Sequence, residues 1–389
     1  MITKEQENVI NVHETLLKYT PNNYILHGNL GRLYGETYKY GHKRDQMFHI
    51  SRAYEIEPEN DVNLLNLFLI LYKFNSPEVP EIWEKVSKLE YNPGIWYTYG
   101  KYLIRNKKLK EGLEYYRHRF EFEPEILPEG LHDRWEPGID ISDKTILISY
   151  EQGFGDTFMF IRFVDQIKPM CKELKLLVQP EVYDLIKYNY NYEIYTDKDI
   201  PNIEYDYFIP MLDTMSLIDI DLDNIPGKEG YLKAPHGEKT DTYKIGIAFE
   251  GHEKGKELCR DIPLEKLYPI MKLPNVQIYS LQKDDTENQL DNVPEDINLI
   301  KLGHTFNNWM DTAKAVMDMD LIITTDNAVL NLAGALGKKT FALFNEYPDF
   351  RWYDLSKDIG WYNIKPYQCK EFDAWDTVIE NVIKDINIF

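Results

Sequence analysis

An α/β protein fronted by an all-helical array is the fold class that this sequence predicts, and three observations predict it. Glycines and prolines recur at a helical-repeat spacing through residues 1–125. From residue 145 onward, short β-branched apolar runs alternate with segments of helical period. Between the two lies a stretch rich in proline, glycine and acids. Alternating strands and helices imply parallel sheets with crossover helices, whereas a repeat period in the thirties implies stacked helix pairs.

Composition bounds the answer. The 389 residues are 43% hydrophobic and 28% charged, enough for two or three domains with sizeable cores. No apolar run reaches the length of a membrane span, and the segment MITKEQENVI lacks a signal peptide's apolar core. The three cysteines, Cys171, Cys259 and Cys369, are far apart, which fits a reducing, cytoplasmic setting and no metal cluster. The net charge of −21 disfavours a broad nucleic-acid surface.

In chain order, residues 1–125 read as repeats. The segment from Asn29 to Tyr34 is followed by Ala53 and Pro58, and the segment from Trp96 to Leu103 by Tyr116 and Pro124. Gly31 and Gly100 stand 69 residues apart, about twice the roughly 34-residue tetratricopeptide period. Pro58, Pro93 and Pro124 place a degenerate repeat between them. The array resembles tetratricopeptide repeats, in which small residues let paired helices approach and proline ends the second helix. Generic helical pairs are the alternative. Such an array packs on its neighbour or offers a concave surface to an acceptor or partner protein.

Residues 126–144 read as a solvated connector, because Pro128, Gly130, Pro137 and Gly138 interrupt regular structure. Strands are expected at 145–149, 174–178, 205–209, 244–248, 276–280, 320–325 and 340–344. Helices are expected at 157–168, 180–188, 263–272, 307–318, 327–336 and 374–386. The turn-rich segment 221–241 divides this region into halves at 145–235 and 243–373, followed by a C-terminal helix over 374–389. Two such halves make a cleft at their strand ends.

Candidate chemistry lies at those strand ends. The segment ILISYEQGFGDTFMFIR, 146–162, is a strand, a glycine turn at Gly153 and Gly155, and a helix with Asp156 at its mouth. Such a carboxylate caps the helix or takes a proton from a ligand. Gly251 ends a second strand, followed by a loop carrying Lys254, Lys256 and Arg260, cations suited to a diphosphate. Gln282 and Lys283 end a third strand, and either contact a base or ribose or simply end it. Asp326, Asn327, Ala328 and Asn331 open a helix that follows a buried strand, where free N–H groups favour an anion. The acidic run Asp219, Asp221, Asp223 is a competing metal-ligating pattern, but no strand-end cleft is implied there, and no metal site is expected. His252 and His304 read as surface or capping residues, and Trp375 as the anchor of the terminal helix.

Together, in order and spacing, these stretches resemble tetratricopeptide-fused glycosyltransferases of the bacterial heptosyltransferase and O-linked N-acetylglucosamine transferase type. The resemblance rests on Glu151–Thr157 with Phe160 and Arg162, Ala248–Gly251, Arg260–Pro263, Ser280–Lys283, Asp311–Ala313, Asp326–Lys338 and Pro348–Trp352. It covers 145–385 well and the repeats weakly. Three positions depart from the pattern: Asn327 stands for its Thr, Asn331 for its His and Phe249 for its Trp. Asn331 cannot carry positive charge, which puts donor preference and full activity in question.

The resemblance implies the B-type glycosyltransferase fold, two Rossmann-like domains, and an inverting, metal-independent transfer. It implies Asp156 as general base. The donor and phosphate side would comprise Gly155, Gly251, Lys254, Lys256, Arg260, Gln282, Lys283, Asp326, Asn327, Ala328 and Asn331. Glu151, Gln152 and Arg162 would lie on the acceptor side. No cofactor is implied beyond a nucleotide-diphosphate sugar as co-substrate. The acceptor is a hydroxyl of a glycan, a protein or a modified nucleotide. The alternatives are a non-catalytic nucleotide-, glycan- or protein-binding module that uses its repeats as a platform, and a DNA-modifying sugar transferase of phage type.

Overall fold

The computed structural model describes residues 4–38, 42–220, 222–238, 240–251, 260–283, 288–352, 355, 360–371 and 374–386. His252, Lys254, Lys256, Cys259 and Asp221 lie outside the described residues. The chain divides into two units, Met1–Phe122 and Glu123–Phe389.

The first unit is helical: α1 (Lys4–Tyr19), α2 (Tyr24–Tyr38), α3 (Lys43–Ile56), α4 (Asp61–Lys73), α5 (Val79–Val86), α6 (Pro93–Arg105), α7 (Leu109–Tyr116) and the short α8 (Arg119–Phe122). Helix α2 packs on α3, α4 on α5 and α6 on α7. The glycines act as the spacing suggested. A methyl group on Gly31 would lie 2.5 Å from Ile50 Cγ1, and one on Gly100 would lie 2.6 Å from the Tyr116 amide nitrogen. The middle pair holds together through rings instead, with Phe68 against Trp83, which stacks on Tyr99 at 4.1 Å. Pro93 has a different role from the one expected: it opens α6 in the first turn behind the Asn92 cap, where its missing N–H costs nothing.

The second unit holds two parallel sheets. The first runs β3-β2-β1-β4, from β1 (Thr145–Ser149), β2 (Glu173–Leu177), β3 (Glu193–Tyr195) and β4 (Tyr207–Pro210). The second runs β10-β9-β8-β5-β6-β7, from β5 (Tyr243–Ala248), β6 (Val276–Ser280), β7 (Leu299–Lys301), β8 (Leu321–Thr325), β9 (Thr340–Phe344) and β10 (Lys365–Gln368). That order is the doubly wound Rossmann arrangement, with its reversal between β5 and β8. The all-helical array and two Rossmann-like sheets are therefore the architecture of this chain. Helix α11 (Tyr183–Asn189) lies between β2 and β3, α12 (Tyr268–Met271) between β5 and β6, α13 (Trp309–Asp318) between β7 and β8 and α14 (Ala328–Ala335) between β8 and β9, and α15 (Trp375–Asp385) belongs to the second half. Its Trp375, Val378, Ile379 and Val382 share a core with Ile245, Ile247, Leu321, Ile323 and Phe341.

The edge strands β3, β7 and β10 were not expected, and two further segments depart from expectation. Residues 133–135 of the connector run beside β4 instead of standing in solvent. The Phe208 amide donates to the Asp133 carbonyl at 3.1 Å, and the Trp135 amide donates to the Phe208 carbonyl at 2.9 Å. Trp135 and Ile141 are buried. The helix expected over 157–168 instead begins earlier and breaks, into α9 (Phe154–Phe160), a 3₁₀ turn at Ile161–Phe163 and α10 (Val164–Ile167). Arg162 accounts for part of the break, because its Nε takes the Met159 carbonyl at 2.8 Å.

Candidate functional site

Each sheet offers a crevice where its strand order reverses. In the first half this crevice lies beyond the ends of β1 and β4. Glu151 spans it, buried, with its Oε1 accepting the Leu212 amide at 2.9 Å. In the second half it lies beyond β5 and β8, bordered by Phe249–Gly251 on one side and Asp326–Asn327 on the other.

The two crevices are brought together by α9 and α14 (Ala328–Ala335), which pack on one another. Glycine at 155 permits this. A side chain there would meet Asn331 Nδ2 at 2.9 Å and Ala328 Cα at 3.6 Å. Beside them Phe154 and Phe158 pack on Trp309, the first residue of α13 (Trp309–Asp318). Arg162 clasps the halves from below. Its guanidinium donates to the Pro226 carbonyl at 3.2 Å, the Trp361 carbonyl at 2.7 Å and the Tyr231 hydroxyl at 3.0 Å, and lies over the rings of Tyr231 and Tyr362.

At the junction sits a buried charge cluster. Asp156 is the third residue of α9, and its Oδ2 accepts the Gly153 amide at 3.3 Å, closing the helix start. Its Oδ1 is bound by Arg351 Nη1, which comes from the second half. The Arg351 Nε is held by Asp349 Oδ1 at 2.6 Å. Asp326, at the end of β8, is buried nearby. Burial first, and Asp349 second, push its carboxyl up to about 6, against the opposing pull of Arg260 and Arg351. Arg260 lies over Gly251, and among the described residues its buried Nε meets no hydrogen-bond partner. A buried guanidinium nitrogen left unpaired costs stability.

The remaining expected residues fall into three groups. Asn327 caps α14: its Oδ1 accepts the amides of Val329 at 2.9 Å and Leu330 at 3.2 Å, and its Nδ2 reaches the Glu250 carbonyl at 3.4 Å. It thus does what a Thr cap would do, and it uses two of the helix-start N–H groups offered to a phosphate. Asn331 is buried between its own helix, where Nδ2 donates to the Asn327 carbonyl at 3.2 Å, and the Tyr362 hydroxyl, which donates to its Oδ1 at 3.2 Å. Ala328 stands at the helix start beside Gly155.

Gln282 is a backbone clamp. Its Oε1 accepts the amides of Phe249 at 3.1 Å and Glu250 at 3.3 Å, and its Nε2 donates to the Glu250 carbonyl at 3.2 Å. It shapes the Gly251 turn. Lys283 is exposed, and the Gly251 amide donates to Asp261 Oδ1 at 2.8 Å. Gln152 is held in the left-handed region, φ 58°, with its amide on the Ile126 carbonyl. Asp219, Asp223 and His304 are exposed. Among the described residues no group of three or more His, Cys, Asp or Glu gathers to hold a metal ion. Asp349 and Arg351 had not been singled out as site residues. The signal for them was in the sequence, in the Pro348–Trp352 stretch that carries part of the resemblance.

No protein-family model matches the chain. Among curated proteins it is similar to "Protein FlbA" of Caulobacter vibrioides, 23% identical over 329 residues, covering 74% of this chain and 54% of that protein. The chain thus spans about half the length of the curated relative it matches. Among solved structures it is similar to the iron-containing dodecameric glycosyltransferase TibC of enterotoxigenic E. coli, at 11% identity and TM-score 0.45, covering 62% of this chain and 67% of that one. It is also similar to the O-GlcNAc transferase of Thermobaculum terrenum, at 11% identity and TM-score 0.30, covering 90% and 81%. These structures are of the two kinds that the sequence resembles.

Proposed function

We propose that this chain is an inverting glycosyltransferase that moves a sugar from a nucleotide-diphosphate sugar to a hydroxyl acceptor, without a metal ion. The observation that carries the reading is the junction itself. A carboxylate at the mouth of α9 faces, across the strand-end crevice, a second half that presents Arg260, Arg351 and the start of α14.

In this reading the half at 145–235 receives the acceptor and the half at 243–373 the donor, with Lys254 and Lys256 on the diphosphate side. The acceptor oxygen attacks the anomeric carbon on the face opposite the diphosphate. The new C–O bond forms as the bond to the diphosphate breaks, and the acceptor proton passes to Asp156. Charge grows on the leaving nucleoside diphosphate, and Arg260 and the Ala328 amide meet it. Asn331, already satisfied by protein partners, adds no charge. The helical array would hold the acceptor or a partner protein.

The test is a panel of nucleotide sugars, assayed for hydrolysis and for transfer to glycan, peptide and oligonucleotide acceptors. Turnover of one donor, unchanged by a chelator, supports the proposal. Binding without turnover supports the non-catalytic reading. Transfer confined to an oligonucleotide, with salt-dependent duplex binding, supports the DNA-modifying one. Loss of transfer in chelator, restored by manganese or magnesium, contradicts the metal-free mechanism.

A further inference from the structure

The proposed base sits inside an ion pair. Both oxygens of the Asp156 carboxylate already accept a hydrogen bond, one from the Gly153 amide and one from Arg351. The Gly153 bond is a helix-capping bond that the fold supplies. The Arg351 bond crosses between the two halves of the unit. A hydroxyl arriving to give up its proton meets an oxygen that a guanidinium holds.

Arg351 itself stands between two acidic claims. Its Nη1 is on Asp156 and its Nε on Asp349, and all three side chains are largely buried, at 18%, 11% and 12% exposure. The Asp349 contact is local and doubled, because Asp349 Oδ1 also accepts the Arg351 amide at 3.0 Å. The backbone is fixed as well, with the Trp361 indole donating to the Arg351 carbonyl at 2.9 Å. So Arg351 is anchored at its root and at Nε, while the Nη end spans to Asp156. The same guanidinium lies within electrostatic reach of Asp326, as does Arg260. Asp326 thus faces both guanidiniums, on the side where a diphosphate seated by Arg260 would bind.

We propose that Arg351 is a donor-operated latch on Asp156: the Nη end rests on the carboxylate until a diphosphate takes it, and only then does Asp156 face the acceptor. The charges favour this order. Among the described residues, the carboxylates of Asp156, Asp326 and Asp349 are gathered with the guanidiniums of Arg260 and Arg351. A diphosphate adds negative charge to this cluster, and a guanidinium binds phosphate oxygens in the same forked geometry as a carboxylate. Moving the Nη end from Asp156 to phosphate keeps Arg351 paired and frees one oxygen of the base. Donor then precedes acceptor, and the base is exposed only when there is a sugar to transfer. Arg351 is thus a positioning residue that acts through Asp156. The inference rests on the glycosyltransferase reading given above.

The latch predicts a reversal that a purely structural ion pair does not. Asp156 and a diphosphate compete for Arg351, so removing the carboxylate charge strengthens diphosphate binding. Binding of ADP, UDP, GDP, CDP and inorganic pyrophosphate is measured by calorimetry on the full chain, in the wild type, Asp156→Asn, Arg351→Gln and the double variant, each with its fold checked by circular dichroism. Asp156→Ser, which keeps a cap acceptor for the Gly153 amide, serves as a second substitution at the base position. The expected result for the diphosphate that binds is about three- to thirty-fold tighter binding in Asp156→Asn, the coupling of a close charge pair. Arg351→Gln weakens binding, and the gain from Asp156→Asn disappears in the Arg351→Gln background. Diphosphate binding that Asp156→Asn and Asp156→Ser leave unchanged or weaken overturns the latch and leaves the donor site standing. A gain that persists without Arg351 also overturns it. Failure of all five probes to bind the wild type overturns both the latch and the glycosyltransferase reading.

Discussion

Asp326 is a site residue whose charge is altered by its surroundings. Its carboxyl is pushed up to about 6 by burial and by Asp349, whereas in the unfolded chain it titrates near the ordinary aspartate value. Between the two values the folded protein keeps a proton that the unfolded chain has released, so stability falls as pH rises across that window and levels off above it. Asp326→Asn does not titrate. The stability of Asp326→Asn relative to wild type should therefore rise from about pH 4 to about pH 6, at up to about 1.4 kcal/mol per unit, and stay flat above. Denaturant unfolding at a series of pH values reads this out, and a difference independent of pH contradicts it. Arg260 makes a second prediction. Its Nε is buried and, among the described residues, unpaired; if it gives a charge-assisted bond to phosphate as proposed, Arg260→Ala should weaken nucleotide binding by about 1.5–3 kcal/mol. Unchanged affinity in calorimetry, with the fold intact, removes Arg260 from the donor site. At this scale the sequence was readable for position: Asp156 stands at the mouth of its helix, as the glycines before it suggested. It was not readable where a polar side chain has been spent on the backbone. Gln282 and Glu151 read as ligand contacts in a string, and in the fold they also hold the amides of Phe249, Glu250 and Leu212. Only the fold brings those amides within reach.

Among the elements, the helix pairs of the first unit offer a prediction with two signs. Gly28 and Gly100 both lie inside helices. A methyl on Gly28 meets nothing within 4 Å, whereas one on Gly100 meets the Tyr116 amide nitrogen at 2.6 Å and the Gly112 carbonyl at 2.9 Å. Gly28→Ala should stabilise by up to about 1 kcal/mol, through helix propensity alone. Gly100→Ala should destabilise by about 1–3 kcal/mol, because backbone cannot give way as a side chain can. Thermal unfolding of the two variants checks this, and equal shifts would deny the close approach of α6 and α7. The buried strands were legible because their apolar runs have no other use: β1, β6 and β9 span the expected residues. The strands that escaped notice, β3, β7 and β10, lie at sheet edges. They are three or four residues long and carry Glu193, Lys301 or Lys365, so no alternation marks them. The break after Phe160 was invisible for a different reason. It depends on Arg162 reaching parts of the chain far away in sequence, at Pro226, Tyr231 and Trp361.

For the whole molecule, the order of events along the chain was plain in the sequence, since repeat spacing gives way to strand–helix alternation once and the turn-rich segment falls between the two sheets. The meeting of the two halves was not. It needs Gly155 against α14, Phe158 against Trp309 and Arg162 under Trp361, contacts that join residues more than a hundred positions apart. That meeting is what sets Asp156 opposite Arg351, and the account stands or falls on whether the carboxylate takes a proton there. The direct measurement is turnover by Asp156→Asn with donor and acceptor both saturating, together with its thermal unfolding. Asparagine caps a helix nearly as well as aspartate, so the fold should hold. As the base, Asp156 predicts a fall in kcat of about 10²- to 10⁴-fold with no loss of donor affinity, whereas the loss of its charge beside Arg351 lowers the melting temperature whichever role it has. Near-normal kcat in that variant would contradict the account and leave Asp156 as a helix cap.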